Sequence, residues 1–534
     1  MSGEDDLEEV EDDFAPEGPG PSPDPGSERE PASFVEYGID DKPPLGESVL
    51  LGVQHYLTMI GANIAIPLVL AGAMGMPAGA TARLIGTFFV VSGIATLAQT
   101  TVGNRYPIVQ GGTFSMLAPA LAIVGVLQTS GAGWETMILQ LQGAVIVAGV
   151  AEVLIGYFGV MGWLKRHMGP IVIAPVIALI GLSLFNVPQI TAPDQNWWLA
   201  GLTVALIVLF SQYLKTSHRA FRLFPVLLGL VTAWLLAAGL SVAGVYSPGT
   251  AGYVDFSQVF EAQLFVPIYP FQWGTPMFRG SFVIGMFAGM LASVIESFGD
   301  YHSVARMAGR GAPSARRIDH GIGMEGLGNL FAGIMGTGNG STSYTENVGA
   351  IGITGVASRY VVQIGAIVAI VVGYVGFVGQ LFATIPTPIV GGLFVAMFGQ
   401  IAAVGLSQLK YVDLDENRNI FIVGLALFAG LAIPNYVSAV GSAGAFQTGL
   451  ANVAVVGPVL GSEFVAQTLY VIGGTGMAVG GIVAFFLDNT VPGSREERGL
   501  TAWEDITEDD SEFRSFWDRH VSDADAEERA PGAD

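Results

Sequence analysis

Apolar stretches long enough to cross a lipid bilayer recur along most of the chain, from Ser48 to Asp488. A bilayer core of about 30 Å requires about 20 residues of helix per crossing. The third and tenth stretches are shorter than this and follow extended stretches rich in Gly, Ser and Thr, so we predict that both are broken segments. The pattern predicts fourteen segments, at residues 48–72, 82–102, 113–127, 136–160, 169–187, 196–214, 222–244, 280–299, 319–336, 345–353, 357–383, 387–406, 417–433 and 465–487.

The positions of Lys and Arg test this count, because cytoplasmic loops of membrane proteins carry an excess of both residues. With fourteen segments and the N-terminus inside, 13 of the 15 basic residues between Ser48 and Asp488 fall in predicted cytoplasmic loops, and only Arg83 and Arg279 do not. An error of one segment would reverse every loop downstream of it. We therefore predict a multi-pass protein of the cell membrane with both termini in the cytoplasm.

The formal net charge of −23 belongs to the two ends of the chain. Residues 1–47 contribute −14 and residues 489–534 contribute −9, whereas the stretch between them is neutral. Both ends are rich in Asp, Glu, Pro, Gly and Ser, a composition that cannot bury enough apolar surface to offset the entropy of ordering. We predict acidic, disordered cytoplasmic tails on either side of a transporter domain at 48–488. An anionic chain without a basic patch is not expected to bind nucleic acid.

The chain offers little of the chemistry that catalysis or metal binding needs. It has no cysteine, and its six histidines are not paired with acidic residues at metal-ligand spacing. No nucleophile and base pair and no nucleotide-binding motif is evident. We predict no metal, no cofactor and no enzymatic activity.

Fourteen segments divide into two sets of seven, and an odd number per set makes the second set run inverted through the membrane. Two pairs of stretches support such repeats. The sequences GPIVIAPVIALIGL from Gly169 and TPIVGGLFVAMFGQ from Thr387 both open on Pro-Ile-Val, and the short third segment, VQGGTFSMLAP, corresponds to the short tenth, SYTENVGAIG. Interrupted segments in matching positions of two repeats point to the binding site of a transporter.

Ionisable side chains are costly inside a bilayer, so each one is a functional candidate. Most of them fall in segments 1, 8 and 10, and two uncharged neighbours accompany them. We expect Glu152 and Glu325 to be packing carboxyls, because neither lies in a broken segment. The candidates are His55, Glu152, Glu296, Asp300, Glu325 and Glu346, together with Gln54 and Asn347.

The two broken segments combine into a pocket for a flat heterocycle. In the tenth, Tyr344 and Thr345 precede a short helix whose first amides lack intrahelical partners, and Glu346 can accept two N–H bonds from a planar amide or imide. In the third, Gly112 permits close approach, while Phe114 offers a face for stacking beside Ser115.

Three motifs resemble the signatures of one family, the nucleobase-ascorbate transporters, also called the nucleobase:cation symporter-2 or xanthine/uracil permease family. The resemblance runs from about Val49 to Asp488. The motifs are Gln54-His55 in segment 1, Glu296-Ser-Phe-Gly-Asp300-Tyr301 in segment 8, and Glu346-Asn347-x-Gly349-x-x-x-x-Thr354-Gly355 in segment 10.

This resemblance implies an all-α polytopic fold of two inverted repeats, with a core domain of segments 1–4 and 8–11 and a gate domain of segments 5–7 and 12–14. It implies that Glu296 and Glu346 bind the base, that Phe114 and the backbone near Thr345 complete the pocket, and that His55 supports the core. Transport would be coupled to an ion, usually H⁺, with Na⁺ as the other choice. The implied partners are a small nucleobase and the lipid bilayer, with a homodimer as the assembly to consider.

Two residues bear on the substrate. Asp300 resembles the purine-transporting and eukaryotic branches, whereas bacterial uracil carriers often have His there. Glu346 favours uracil or a broad range, since carriers selective for xanthine or urate more often have Gln and ascorbate carriers have Pro. We therefore expect secondary active import of uracil or xanthine by proton symport. Alternative substrates are another purine, urate or ascorbate. Alternative functions are a sulfate or bicarbonate carrier of related architecture and a channel.

Overall fold

Helices form nearly all the regular structure of the chain. The computed structural model describes residues 35–159, 167–311, 313–501 and 513, without the side chains of Pro188, Arg219, Gln258, Thr345, Glu346 and Ile353. In the first half the helices are α1 (Leu45–Leu57), α2 (Ile60–Met74), α3 (Ala78–Thr101), α4 (Leu117–Thr129), α5 (Trp134–Tyr157), α6 (Pro170–Leu182), α7 (Pro188–Thr191), α8 (Trp197–Val208), α9 (Arg219–Leu223), α10 (Pro225–Val242) and α11 (Ser257–Phe260).

The second half continues in the same way. Its helices are α12 (Gly280–Met307), α13 (Ala315–Met335), α14 (Thr345–Thr354), α15 (Arg359–Tyr374), α16 (Gly376–Ala383), α17 (Thr387–Ser407), α18 (Asn417–Val440), α19 (Ala443–Ala451), α20 (Gly457–Leu460), α21 (Glu463–Gly473) and α22 (Gly476–Thr490). A π-helical stretch, Leu209–Tyr213, continues α8, and a 3₁₀ turn, Gln408–Tyr411, follows α17. The strands are β1 (Gln110–Gly111) and β2 (Thr342–Ser343).

Each of the fourteen predicted segments overlaps at least one of these helices. Within the described ranges, six helices are long and apolar enough to cross a membrane alone, or up to eight spans if the bent pairs α1 with α2 (42°) and α21 with α22 (92°) each count as one. Segments 3 and 10 are short helices that begin at Leu117 and Thr345. The all-helical, polytopic membrane class is thus confirmed, while the count of fourteen crossings and the inverted repeats stay predictions.

The region after segment 13 differs from the prediction. The predicted segment ends at residue 433, whereas α18 continues through Pro434 to Val440 and is followed by α19 and α20. A proline inside a helix removes one backbone hydrogen bond, and a membrane helix tolerates this when its neighbours support the freed carbonyl. Pro434 therefore lies within this helix and does not end it.

Helices from distant parts of the chain pack in two sets. In one, α5 packs on α13, and α3 and α1 both pack on α15; in the other, α6 packs on α17 and on α22, which also contacts α18. The first set draws on segments 1–4 and 8–11 and the second on segments 5–7 and 12–14. The division into core and gate domains itself remains a prediction.

Glycine allows some of these helices to approach backbone to backbone. Where α1 meets α15, a Cβ atom on Gly365 would lie 2.3 Å from the carbonyl oxygen of Gly52, and one on Gly52 would lie 2.6 Å from that of Val361. Small residues give membrane helices such contacts, which replace the hydrophobic driving force that lipid removes.

Gly365→Ala is therefore expected to lower the thermal stability of the purified protein, because the added methyl group forces α1 and α15 apart at a cost of about 1–3 kcal/mol. Gly399→Ala in α17 is the matched control, since no atom lies within 4 Å of the position its Cβ would take. That control should be neutral or slightly stabilising, because alanine favours helix more than glycine does. Thermal unfolding in detergent checks both, and equal midpoints would contradict the packing.

Residues of both predicted tails form contacts with the predicted transporter domain. The amide of Ala357 donates to the Tyr37 carbonyl at 2.8 Å, and Arg359 pairs with Asp40 at 2.7 Å. At the other end Arg498 pairs with the buried Asp488 at 2.9 Å. The predicted boundaries, at residues 47 and 489, rest on counts of charged residues. Such counts do not show which carboxylates pair with arginine. Most of both predicted tails lies outside the described residues, so their disorder stays a prediction.

Candidate functional site

The two broken segments meet in a short antiparallel pairing of β1 with β2. Gln110 lies opposite Ser343, and Gly111 lies opposite Thr342. Each strand leads directly into a short helix, β1 into α4 and β2 into α14. The stretches that the sequence placed in matching positions of the two repeats are therefore neighbours in space.

The helices that follow the strands begin without side-chain caps. Met116 precedes α4 and Tyr344 precedes α14, and neither donates or accepts a capping hydrogen bond through its side chain. The first amides of a helix lack intrahelical acceptors and carry the positive end of the helix dipole. The arrangement thus brings two helix N-termini, both able to stabilise carbonyl oxygens or partial negative charge, to one region.

A cavity of about 980 Å³ lies beside this pairing. Its wall includes four of the residues predicted to bind substrate or couple transport: Phe114, Glu296, Asp300 and Tyr344. Gly112 and Gly349 also line it. Thr345 and Glu346 occupy the first turn of α14, next to Tyr344, but their side chains lie outside the described part of the structure.

Phe114 forms an aromatic wall with two residues of α17. Its ring meets Phe398 edge-on at 5.4 Å between centroids and Phe394 at 6.5 Å, and those two rings stack on each other at 4.7 Å. A Cβ atom at Gly112 would lie 2.5 Å from the Phe88 ring, so only glycine fits there. The wall places an aromatic surface from segment 3 against a helix of segment 12.

Asn347 lies behind the cavity wall. Its side-chain nitrogen donates to Nδ1 of His55 at 3.1 Å, and its oxygen accepts from the amide of Val109 at 2.9 Å. Nε2 of His55 lies 3.5 Å from the Thr354 hydroxyl. These contacts join segments 1 and 10 to the stretch that leads into segment 3. The sequence also suggested Asn347 as a substrate-binding residue, and that role stays a prediction.

Ser115, which we also expected to contact substrate, is not among the residues that line the cavity. It is fully buried, and its hydroxyl lies 2.6 Å from that of Thr113. Gln54 likewise does not line the cavity, and its Nε2 has no hydrogen-bond partner among the described residues. Helical or strand spacing alone does not show which face of a broken segment meets the cavity.

Glu325 holds β2 from behind. The hydroxyls of Thr342 and Ser343 donate to its carboxylate at 2.7 and 3.1 Å, and those of Ser297 and Tyr301 donate at 2.7 and 3.1 Å. The side chain is 1% exposed, whereas Thr342 and Ser343 line the cavity. The packing role expected for Glu325 thus has a specific form, in which a buried carboxylate positions the strand that borders the site.

Glu152 belongs to the same buried polar region. It accepts a hydrogen bond from the side-chain nitrogen of Asn329, whose oxygen accepts from the amide of Ser341. Glu152 is fully buried, and it joins α5 to α13 next to the chain that enters β2.

Sequence reasoning missed two residues near the site. His302 lines the cavity, and its Nδ1 lies 2.8 Å from the Phe298 carbonyl oxygen. Asn339 clamps the chain after β1: its oxygen accepts from the amide of Thr113 at 2.8 Å, and its nitrogen donates to the Thr113 carbonyl at 3.1 Å. The proximity of His302 to Asp300 was a visible signal, but the pairing of Asn339 with Thr113 appears only in the fold.

Within the ranges that the structure describes, no three His, Asp or Glu side chains converge as a metal site requires. The cavity therefore offers hydrogen bonds, an aromatic surface and carboxylates to a small organic solute. Such a set of groups binds and orients a solute and does not supply a nucleophile.

Comparison with known proteins identifies the family. A family model described as a permease family matches residues 46–438. Solute carrier family 23 member 1 of Rattus norvegicus is 40% identical over 520 residues, which cover 89% of this chain and 83% of that protein. Nucleobase-ascorbate transporter 1 of Arabidopsis thaliana is 36% identical over 491 residues, covering 88% of this chain and 92% of that protein.

Solved structures share the fold at low sequence identity. The transmembrane domain of BicA, a cyanobacterial bicarbonate transporter, has a TM-score of 0.52 at 18% identity and covers 73% of this chain and 97% of that one. The murine anion transporter Slc26a9, in an inward-facing state, has a TM-score of 0.55 at 13% identity and covers 76% of this chain and 68% of that one.

These relatives are transporters, so the protein is a multi-pass membrane transporter that needs no cofactor, and it is not an enzyme. The match of most of the chain to the permease model, together with the curated relatives, shows that it belongs to the xanthine/uracil permease family, which includes the nucleobase-ascorbate transporters.

Proposed function

We propose that this transporter imports a nucleobase, uracil or xanthine, across the cell membrane by proton symport. The observation that carries the proposal is the position of Glu296 on the same cavity wall as the Phe114 ring and the residues of β2. Membership of the family alone leaves nucleobases and ascorbate equally open.

The geometry suits a flat heterocycle with N–H donors and carbonyl acceptors. A carboxylate at Glu296 accepts hydrogen bonds from the N–H groups of the base, while the first amides of α14 donate to its carbonyl oxygens. Phe114, held edge-on by Phe398 at 5.4 Å, provides an apolar face. Glu346, in the first turn of α14, is the second carboxylate that we assign to the base.

Ion coupling follows from placing carboxyl groups in a cavity that opens to alternate sides of the membrane. Glu296 takes a proton when the site faces outward and releases it when the site faces the cytoplasm, and Asp300, one helical turn further along α12, is the second candidate. His55, which bonds Asn347, supports the core instead of carrying the proton. Na⁺ is the alternative coupling ion.

The proposed orientation places both termini in the cytoplasm, as the distribution of Lys and Arg predicts. The cavity then opens toward the cytoplasm, because residues of three predicted cytoplasmic loops, Arg222, Arg310 and Lys410, line its wall together with Glu296. We assign this structure to an inward-facing state in which the solute would be released.

The substrate is tested by uptake into proteoliposomes from a panel of uracil, xanthine, urate, guanine, adenine and ascorbate. We expect uracil or xanthine to accumulate, and Glu346→Gln to shift the preference between uracil and xanthine by about tenfold, or roughly 1.4 kcal/mol. The amide replaces an acceptor by a donor, so a base with a different hydrogen-bonding edge fits better.

Glu463→Gln is the matched control, because Glu463 is an exposed carboxylate that pairs with Arg279 away from the cavity. That variant should keep the preference of the parent protein. A preference for ascorbate over every base would overturn the nucleobase assignment, and an unchanged preference in Glu346→Gln would remove Glu346 from the site.

A further inference from the structure

Four basic residues line the same cavity as Glu296, and we call them the basic mouth: Arg222, Arg306, Arg310 and Lys410. All four are exposed. They come from separate parts of the chain, namely the loop helix α9, the end of α12 with the turn after it, and the 3₁₀ turn that follows α17.

Arg306 of the basic mouth lies well away from Glu296 of the proposed base site. Glu296 and Arg306 both belong to α12 and both line the cavity, and ten residues of helix correspond to about 15 Å. The same face of α12 carries Asp300 and Ser303 between them. A single heterocycle at Glu296 therefore leaves the basic mouth to bind something else.

Two of the four basic side chains interact with the same tyrosine side chain. Lys410 and Arg306 both interact with the Tyr411 side chain, and Nζ of Lys410 lies 4.8 Å from the centroid of its ring. Like charges held this close repel each other, and the repulsion is partly relieved when an anion lies between them.

Four other arginines of the described chain share two carboxylate partners: Asp40 pairs with Arg105 and Arg359, and Asp488 pairs with Arg418 and Arg498. No carboxylate among the described residues forms an ion pair with any residue of the basic mouth. A general surplus of Lys and Arg in cytoplasmic loops explains why basic residues lie on this side. It does not explain why three separate elements direct them to one cavity without acidic partners.

We propose that the basic mouth binds an anion of the phosphate class that carries at least two negative charges. Phosphate oxygens accept charge-assisted hydrogen bonds from guanidinium and ammonium groups, and arginine matches them in a bidentate geometry. The anion is either a soluble phosphorylated compound or the headgroup of a phosphomonoester lipid.

Inorganic pyrophosphate is the probe for the soluble source. Isothermal titration of the full chain in neutral detergent, at fixed ionic strength, should show saturable binding to the parent protein. Binding should weaken by at least about tenfold in the double variant Arg306→Gln with Lys410→Gln, since both substitutions remove a charged donor. Arg316→Gln, which removes one positive charge from an exposed residue of α13 outside the cavity wall, should leave binding unchanged. Thermal unfolding confirms that each variant is folded.

Nanodiscs that contain phosphatidic acid, compared with nanodiscs that contain phosphatidylglycerol, test the lipid source. Selective binding of phosphatidic acid that the double variant loses, without binding of pyrophosphate, assigns the site to a lipid headgroup. Three results would overturn the proposal. The parent and the double variant could bind pyrophosphate equally, or Arg316→Gln could weaken binding as much as the double variant does. The third is that neither assay shows any binding. These assays do not measure nucleobase transport, so a negative result leaves the proposed function unaffected. A negative result in the uptake assays would likewise leave the proposed anion site unaffected.

Discussion

Glu296→Gln is expected to reduce the initial rate of nucleobase uptake by at least about a hundredfold, which corresponds to roughly 2.7 kcal/mol. The amide presents an N–H₂ group where the carboxylate accepts hydrogen bonds, and hydrogen bonds to charged groups contribute about 1.5–3 kcal/mol each. It also removes the carboxyl that we assign to the coupled proton. Uptake into proteoliposomes, measured with and without an imposed pH gradient, checks both effects.

Glu135→Gln provides the matched control, because Glu135 is an exposed carboxylate in the first turn of α5 and does not line the cavity. Its uptake should equal that of the parent protein. If Glu296→Gln still accumulates the base in response to a pH gradient, proton symport through this carboxyl is wrong. Accumulation by the parent protein that follows a sodium gradient and ignores pH would transfer the coupling to Na⁺.

Glu325→Leu is expected to destabilise the protein severely, by on the order of 5 kcal/mol. The substitution leaves the hydroxyls of Ser297, Tyr301, Thr342 and Ser343 without the acceptor that they share in a buried site. Each buried polar group left without a partner costs about 1–3 kcal/mol. The thermal unfolding midpoint in detergent and the yield of monodisperse protein measure the loss.

Glu325→Gln is the comparison that isolates this mechanism, since its carbonyl oxygen still accepts from part of the cluster. Its loss of stability should be clearly smaller than that of the leucine variant. Equal midpoints for the two variants would show that the hydroxyl cluster does not depend on the acceptor at Glu325. A stable leucine variant that fails to transport would instead indicate a direct role for this carboxyl in coupling.

The helices could be predicted from the sequence because membrane insertion imposes a length and an apolar composition that single residues rarely disguise. The broken segments were also visible, since Gly112 and the run of Gly, Ser and Thr before Tyr344 cannot continue a helix of spanning length. The pairing of β1 with β2 could not be predicted from the sequence, because two-residue strands have no periodicity of their own. It depends on side chains such as Gln110, whose amide donates to the Ser343 hydroxyl at 2.8 Å.

The candidate site was predictable in its carboxylates and less so in its polar neighbours. Glu296 and Asp300 stand out because charge is rare inside the membrane, and both line the cavity. Asn347 and Ser115 share a segment with cavity residues but direct their polar atoms to His55 and Thr113. The two partners of Asn347, which are His55 and Val109, lie more than two hundred residues away along the chain, so local spacing does not show that its polar atoms are occupied. The partner of Ser115 is only two residues away, but its hydroxyl contact depends on how the broken segment folds.

The pairing of β1 with β2 also limits how this protein can change over evolution. Gln110 faces Ser343 and Gly111 faces Thr342, so each half of the chain sets the alignment of the other. Insertion of one residue into either strand would turn the following side chains to the opposite face, which affects Phe114 in one half and Tyr344 in the other. The loops before α4 and α14 can therefore change length only together, even though they are encoded in distant parts of the gene.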